Sequence, residues 1–120
     1  MSRIWALTKR AQYQNVYKWG VAKGDRLVMI KSLANGLEFS RYGFSVNKPL
    51  GKAVIRNRVR RLLKEIVRSL QIKPGWDIVF IARRGAVEVD YHRLRRSVEK
   101  LLMQADLLLH NNEVVSTGIN

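Results

Sequence analysis

KAVIRNRVRRLLKEIVRSL (52–70) decides the fold. Ile55, Val59, Leu62, Leu63, Ile66 and Leu70 recur in it at helical spacing, which predicts a long amphipathic helix with an apolar sector of roughly 100°. The rest of its circumference carries Arg56, Asn57, Arg58, Arg60, Arg61, Lys64 and Arg68, with only Glu65 against them. Beyond Pro74-Gly75, WDIVFIA (76–82) is a continuous β-branched apolar run, the pattern of a buried strand. Before the helix, LEFSRYGFSV (37–46) alternates, with Leu37, Phe39, Arg41, Gly43 and Ser45 on one face and Tyr42, Phe44 and Val46 on the other. Strand, long helix, strand implies one crossover unit inside an otherwise antiparallel sheet.

Further out, RLVMI (26–30) reads as a strand running into Asn35-Gly36, and Asn-Gly between extended runs predicts a hairpin with 37–46. A first helix is expected from Thr8, as N-cap, to Gly20, as a C′ glycine. A short extra strand fits Val21–Gly24. Pro49 and Gly51 break the chain before the long helix. Arg83, Arg84 and Gly85 close the last strand, and Asp90 caps a final helix carrying Leu94, Val98, Leu101, Leu102 and Ala105 on one side. The expected order is α-β-β-(β)-α-β-α. The expected organisation is one domain over residues 1–110, with NNEVVSTGIN (111–120) as a polar, disordered tail.

The chain has 120 residues, enough for one domain with a core of its own. With no cysteine it has no disulfide framework, cysteine zinc site or thiol nucleophile. Its 23 Lys+Arg against 9 Asp+Glu give a formal charge of +14, while 47% hydrophobic residues exclude a disordered basic tail. A folded domain that basic calls for a polyanion: nucleic acid first, an anionic membrane second. No apolar run approaches the roughly 20 residues of a spanning helix. Ile4 to Leu7 is too short for a secretory signal. An intracellular, cytoplasmic protein that does not engage membrane is the expectation.

A solvated helix face mixes signs. The 52–70 helix instead repeats like charges four apart, as at Arg56/Arg60 and Arg60/Lys64, at a cost of a few tenths of a kcal/mol each. That cost points to a polyanion face. Arginine forks hold phosphate oxygens bidentately, and Asn57 adds a donor and an acceptor. Asn47-Lys48-Pro49-Leu50-Gly51-Lys52 sets two lysines and a glycine at the helix start, where free N–H groups favour phosphate; the spacing is not that of a Walker loop. Tyr13 and Tyr17 share a helix face beside Lys9, Arg10 and Lys18, a combination that suits single-stranded nucleic acid. Phe39 and Phe44 read equally as core. His92 and His110 have no partner signature, no paired carboxylates or metal-ligand spacing occur, and the serines lack a nucleophile elbow.

Arg56-Asn57-Arg58, with Gly51–Ile55 before it and Val59–Glu65 after it, resembles the signature of the bacterial ribonuclease P protein subunit. Arg41–Lys48, Tyr13-Gln14-Asn15-Val16-Tyr17 and Asp77–Arg83 resemble other motifs of that family in the same order. The resemblance implies an α/β (α+β) two-layer sandwich, ribosomal-protein S5 domain 2-like, with a left-handed crossover around the long basic helix, against the general right-handed rule. It also implies the protein cofactor of a catalytic RNA that removes the 5′ leader of precursor tRNA, with hydrolysis left to the RNA subunit and its Mg²⁺. Carried over, Lys48, Lys52, Arg56, Asn57, Arg58, Arg60, Arg61, Lys64 and Arg68 contact the RNA subunit. Tyr13, Tyr17, Phe44 and Arg83 line a leader cleft between the first helix and the sheet. Pro49 replaces a second lysine usual in the family and Asn47 a frequent serine. Ile30 stands at a strand position associated with an aromatic ring, which would shift leader stacking onto the tyrosines. The competing readings are a ribosomal protein or assembly factor that binds structured RNA, and a helix-turn-helix DNA-binding module, which the strands disfavour.

Overall fold

The computed structural model describes residues 4–109. Its elements are β1 (Trp5–Ala6), α1 (Arg10–Trp19), β2 (Val21–Gly24), β3 (Val28–Ala34), β4 (Arg41–Ser45), α2 (Ala53–Ser69), β5 (Trp76–Ala82) and α3 (Tyr91–Gln104). The expectation for residues 111–120 lies outside the described residues. Among those described, no helix is long and apolar enough to cross a membrane.

The apolar run 76–82 takes the centre of a five-stranded sheet ordered β1-β4-β5-β3-β2. It pairs parallel with β4, from Arg41↔Asp77 to Ser45↔Ile81, and antiparallel with β3, from Val28↔Ala82 to Ala34↔Trp76. Ile78 and Phe80 of β5 join Val28, Ile30 and Tyr42 in one core against Val59, Leu63 and Ile66 of α2 and Leu94, Val98 and Leu101 of α3. This sheet-on-helices pairing is the two-layer sandwich. On the other face α1 alone lies across the sheet, over the smaller cluster of Leu7, Val16 and Val79. One side of the sheet is therefore sealed and the other only partly covered.

Several expectations need correction. The Asn35-Gly36 turn joins β3 to β4, but these strands do not pair, because β5 lies between them. Asn35 ties its loop to β5 instead. Its N–H donates to the Gly75 carbonyl at 2.9 Å and its Nδ2 to Asp77 Oδ1 at 2.9 Å. The hairpin is one strand earlier, between β2 and β3. There Asp25 Oδ1 accepts from the N–H groups of Leu27 at 2.8 Å and Val28 at 3.0 Å. Thr8 is not the cap of α1. Gln12 Oε1 reaches back to the N–H groups of Thr8 and Lys9 at 2.9 and 3.0 Å, which leaves Lys9 at the N-cap. Gly20 ends α1 with φ −75°, so it is no left-handed C′ glycine. It is small because a Cβ there would lie 2.5 Å from the Val16 carbonyl oxygen and 3.0 Å from that of Ser32. On α2, Val67 joins the buried stripe while Ile55 stays 38% exposed and lies over Gly51.

Candidate nucleic-acid interface

The sealed face fixes the orientation of α2. With Val59, Leu63, Ile66 and Val67 turned inward, Asn57, Arg58, Arg61, Lys64 and Arg68 are exposed and Arg56 and Arg60 half-buried. Arg56 Nε donates to the Gly51 carbonyl at 3.1 Å and Arg60 Nη1 to Asn57 Oδ1 at 2.9 Å. Among the described residues no salt bridge neutralises any α2 cation. Lys48 and Lys52 stand exposed around a 3₁₀ turn, Lys48–Leu50. That turn reaches the helix through Gly51 at φ +144°, a backbone shape that L side chains rarely adopt.

Arg60, Lys64 and Arg68 follow one another at four-residue steps, a stripe about 12 Å long. The stripe borders two hollows. One, of about 400 Å³, lies on α2 itself and includes Asn57, Arg61 and Glu65. The other, of about 370 Å³, lies beside β1 and β4, where Tyr13, Tyr42, Phe44, Ile4 and Leu7 line it together with these three cations. Phe44 is half-buried in it, its ring stacked 5.6 Å from that of Phe80. The Tyr13 ring packs against Gly43, and its hydroxyl donates to the Leu7 carbonyl at 3.3 Å. Burial, and less so the neighbouring Tyr17, push the Tyr13 phenol above its ordinary pKa, so it stays a neutral donor at neutral pH.

Tyr17 and Arg83 lie elsewhere. Tyr17 is exposed, its ring 6.4 Å from that of Tyr13. Lys31 Nζ sits 5.7 Å from the Tyr17 ring centre and donates to the Tyr17 carbonyl at 3.1 Å. Beside α1, the cross-strand row Ser45, Ile81 and Met29 is only half-buried, a shallow floor on the open face. Arg83 leaves β5 at the end of that floor and donates to the Asp25 carbonyl at 3.1 Å. The four expected leader residues thus divide, with Tyr13 and Phe44 in the β4-edge cleft, Tyr17 and Arg83 along the open face, and Tyr13 at the junction. Ile30 is fully buried in the core under α2 and α3, on the sheet face away from α1, so it is not part of the open face. Tyr42 and Lys31 were not singled out from sequence. The alternation that pairs Tyr42 with Phe44 was the available signal for the first, and nothing marked the second.

Among the described residues no three His, Asp or Glu side chains come together as metal ligands. The interface is cationic, whereas Mg²⁺ takes carboxylate, carbonyl and water oxygens. These residues do not form a cage for that ion.

A sequence profile described as Ribonuclease P matches residues 1–106. The chain is 44% identical over 116 residues to the ribonuclease P protein component of Dehalococcoides mccartyi, covering 97% of each. It is 42% identical over 113 residues to that of a Thermoanaerobacter species, covering 92% of this chain and 97% of the relative. Among solved structures, the RNase P protein of Staphylococcus aureus superposes with a TM-score of 0.80 at 30% identity, over 89% of this chain and 100% of that one. The RNase P protein from Thermotoga maritima gives 0.77 at 30% identity, over 82% and 96%.

Proposed function

The chain belongs to the ribonuclease P protein family, and from that premise we propose how it serves tRNA 5′ processing: it grips a catalytic RNA subunit with α2 and holds the 5′ leader of precursor tRNA along the β4 edge. RNA is the partner the family implies. The α2 arc, with Lys48 and Lys52, takes the RNA subunit's phosphates, Arg58 and Arg61 facing outward while Arg56 and Asn57 steady the first turns. Bond cleavage stays with the RNA. We assign Mg²⁺ to RNA phosphates and give no residue of this chain to it. The site of action we assign is the cytoplasm.

The observation that carries the leader assignment is the cleft that Tyr13 and Phe44 line together with Arg60, Lys64 and Arg68. Rings that stack on bases, beside cations that hold phosphates, are what a single strand needs. A leader running from Tyr17 past Tyr13 into this cleft would meet both.

The test is affinity of the reconstituted complex for precursor and mature tRNA. Tyr17 is exposed, so Tyr17→Ala should leave the melting curve nearly unchanged. It should weaken precursor binding roughly tenfold, from about 1–3 kcal/mol per stacked base, and leave mature tRNA unaffected. Equal losses for both RNAs would refute the leader assignment and favour a binder of structured RNA only.

A further inference from the structure

We propose that the leader cleft continues along the sheet edge into a second base-stacking site, built on Trp5 and Phe39, which takes a base of the leader 5′ to those that meet Tyr13 and Phe44. This deepens the leader assignment above and rests on it.

The continuation is a groove of about 490 Å³ between the β1–β4 edge and the C-terminal end of α2. It shares Ile4, Tyr42 and Arg68 with the cleft that Tyr13 and Phe44 line, so the two hollows adjoin. The rings of Trp5 and Phe39 stand 4.9 Å apart, and both side chains are exposed. An exposed ring offers apolar area that the flat face of a base can cover. Arg68 is the cation of this lining and Glu38 the acid. With the two charges near cancellation, this end suits a base, while phosphates stay with the stripe of Arg60, Lys64 and Arg68.

Spacing and charge both favour the leader as occupant. Trp5 pairs with Arg41, and Phe44 lies three residues further along β4, a distance of about 10 Å. At a stacked spacing of about 3.4 Å that is about three nucleotides. The aromatic path therefore runs Tyr17, Tyr13, Phe44, and then Trp5 with Phe39. A single strand lying in the adjoining cleft needs only greater length to reach the last pair. A second copy of the chain is a poor occupant, because a formal charge of +14 on each sets the two against one another.

The experiment uses the full chain reconstituted with a transcript of a bacterial ribonuclease P RNA. Affinity is measured for mature tRNA and for precursors whose leaders lengthen one nucleotide at a time. Trp5→Leu and Phe39→Leu, made separately, keep an apolar side chain and lose the ring; melting curves and binding of the RNA transcript accompany each. For long leaders each variant should weaken precursor binding roughly tenfold, and for short leaders and mature tRNA it should match wild type. The loss should set in at longer leaders than that of Tyr17→Ala. Because no phosphate contact is removed, the log–log salt slope should stay as in wild type. Wild-type affinity at every leader length overturns the proposal, and so does a loss shared equally by mature tRNA, which is what a merely structural pair of rings would give. A lowered salt slope overturns it in favour of a phosphate contact. A mass that rises with concentration in sedimentation of wild type, and not of the two variants, overturns it in favour of a second copy. Tyr17→Ala separates this inference from the reading beneath it. If Tyr17→Ala weakens precursor binding and the ring variants do not, only this inference falls; if none of the three does, the leader assignment falls with it.

Discussion

Gly43→Ala probes the geometry on which the cleft depends. Gly43 is buried in β4, under the Tyr13 ring. A Cβ added there would lie 2.5 Å from Tyr13 Cε1, 2.7 Å from its Oη and 2.8 Å from its Cζ, where ordinary contact begins at 3.4 Å. The ring must move by roughly 1 Å, and overpacking of this kind costs about 1–3 kcal/mol. The clashing atoms are the far end of a half-buried side chain, which favours the lower part of that range, but moving them gives up the hydroxyl's bond to the Leu7 carbonyl, worth about 1 kcal/mol. A loss of about 1–2 kcal/mol corresponds to a fall in Tm on the order of 5–10 °C. The assay is a double-mutant cycle by thermal melting. With Tyr13→Ala the clash disappears, so adding Gly43→Ala should then cost under about 0.5 kcal/mol, leaving a coupling of about 1 kcal/mol. Equal costs in both backgrounds, or no cost in wild type, would refute the contact as described.

Three further outcomes are expected. Burial works to raise the Asp25 pKa, but hydrogen bonds from Ser97, Val28 and Leu27, with Lys100 nearby, outweigh it and hold the carboxylate below its ordinary range. Its stabilisation is then present above the unfolded value of about 3.9 and is lost as pH falls through the lower folded value, so the Tm gap between wild type and Asp25→Asn should narrow from pH 7 to pH 3; a constant gap counts against it. The purified chain, freed of RNA, should not cleave precursor tRNA at any Mg²⁺ concentration, while adding the RNA subunit should give 5′ cleavage; metal-dependent cleavage by RNA-free protein would reverse the assignment of chemistry. Because the net charge of +14 repels itself, low salt should lower Tm and a bound polyanion should raise it by mass action, and a Tm indifferent to both would contradict this.

The central elements were legible because their periods are unambiguous. From Ile78 to Ala82 the stretch WDIVFIA has no polar alternation, the pattern of a central strand, and it forms β5 over 76–82. Asn-Gly reports a local turn, whereas pairing is settled by which strand can sit centrally, and β5, apolar from Ile78 to Ala82 with Asp77 paired to Arg41, displaces β4 from β3. The true hairpin turn, at Asp25-Arg26-Leu27, rests on an Asp side chain closing on Leu27 and Val28, without the dipeptide that marks primed turns. Two-residue β1 gives no period to read. The basic arc of α2 was visible from charge sign alone. The cleft beside it was not, since Ile4, Tyr13, Tyr42 and α2 meet only once β1 and β4 are known to be neighbours.

The unequal covering of the sheet connects stability to function. A chain whose surface cations repel one another must draw its stability from apolar burial, and the fully buried Phe80, Leu63, Ile66, Leu94 and Leu102 all lie on the α2–α3 side. That sealed core is what allows the other face to remain half-open under a single helix, with Tyr17 exposed and Met29, Ile81 and Ser45 only half-buried. It also holds α2 and α3 rigid, so that their cations are presented at fixed spacing. Arg60, Lys64 and Arg68 line one cleft with Tyr13 and Phe44 because Leu63 and Val67, on the same helix, are locked into the core. Positioning of this kind lowers the ordering cost of binding a flexible strand. A catalytic RNA can gain from a partner that supplies cations and rings in fixed places while contributing no reacting group.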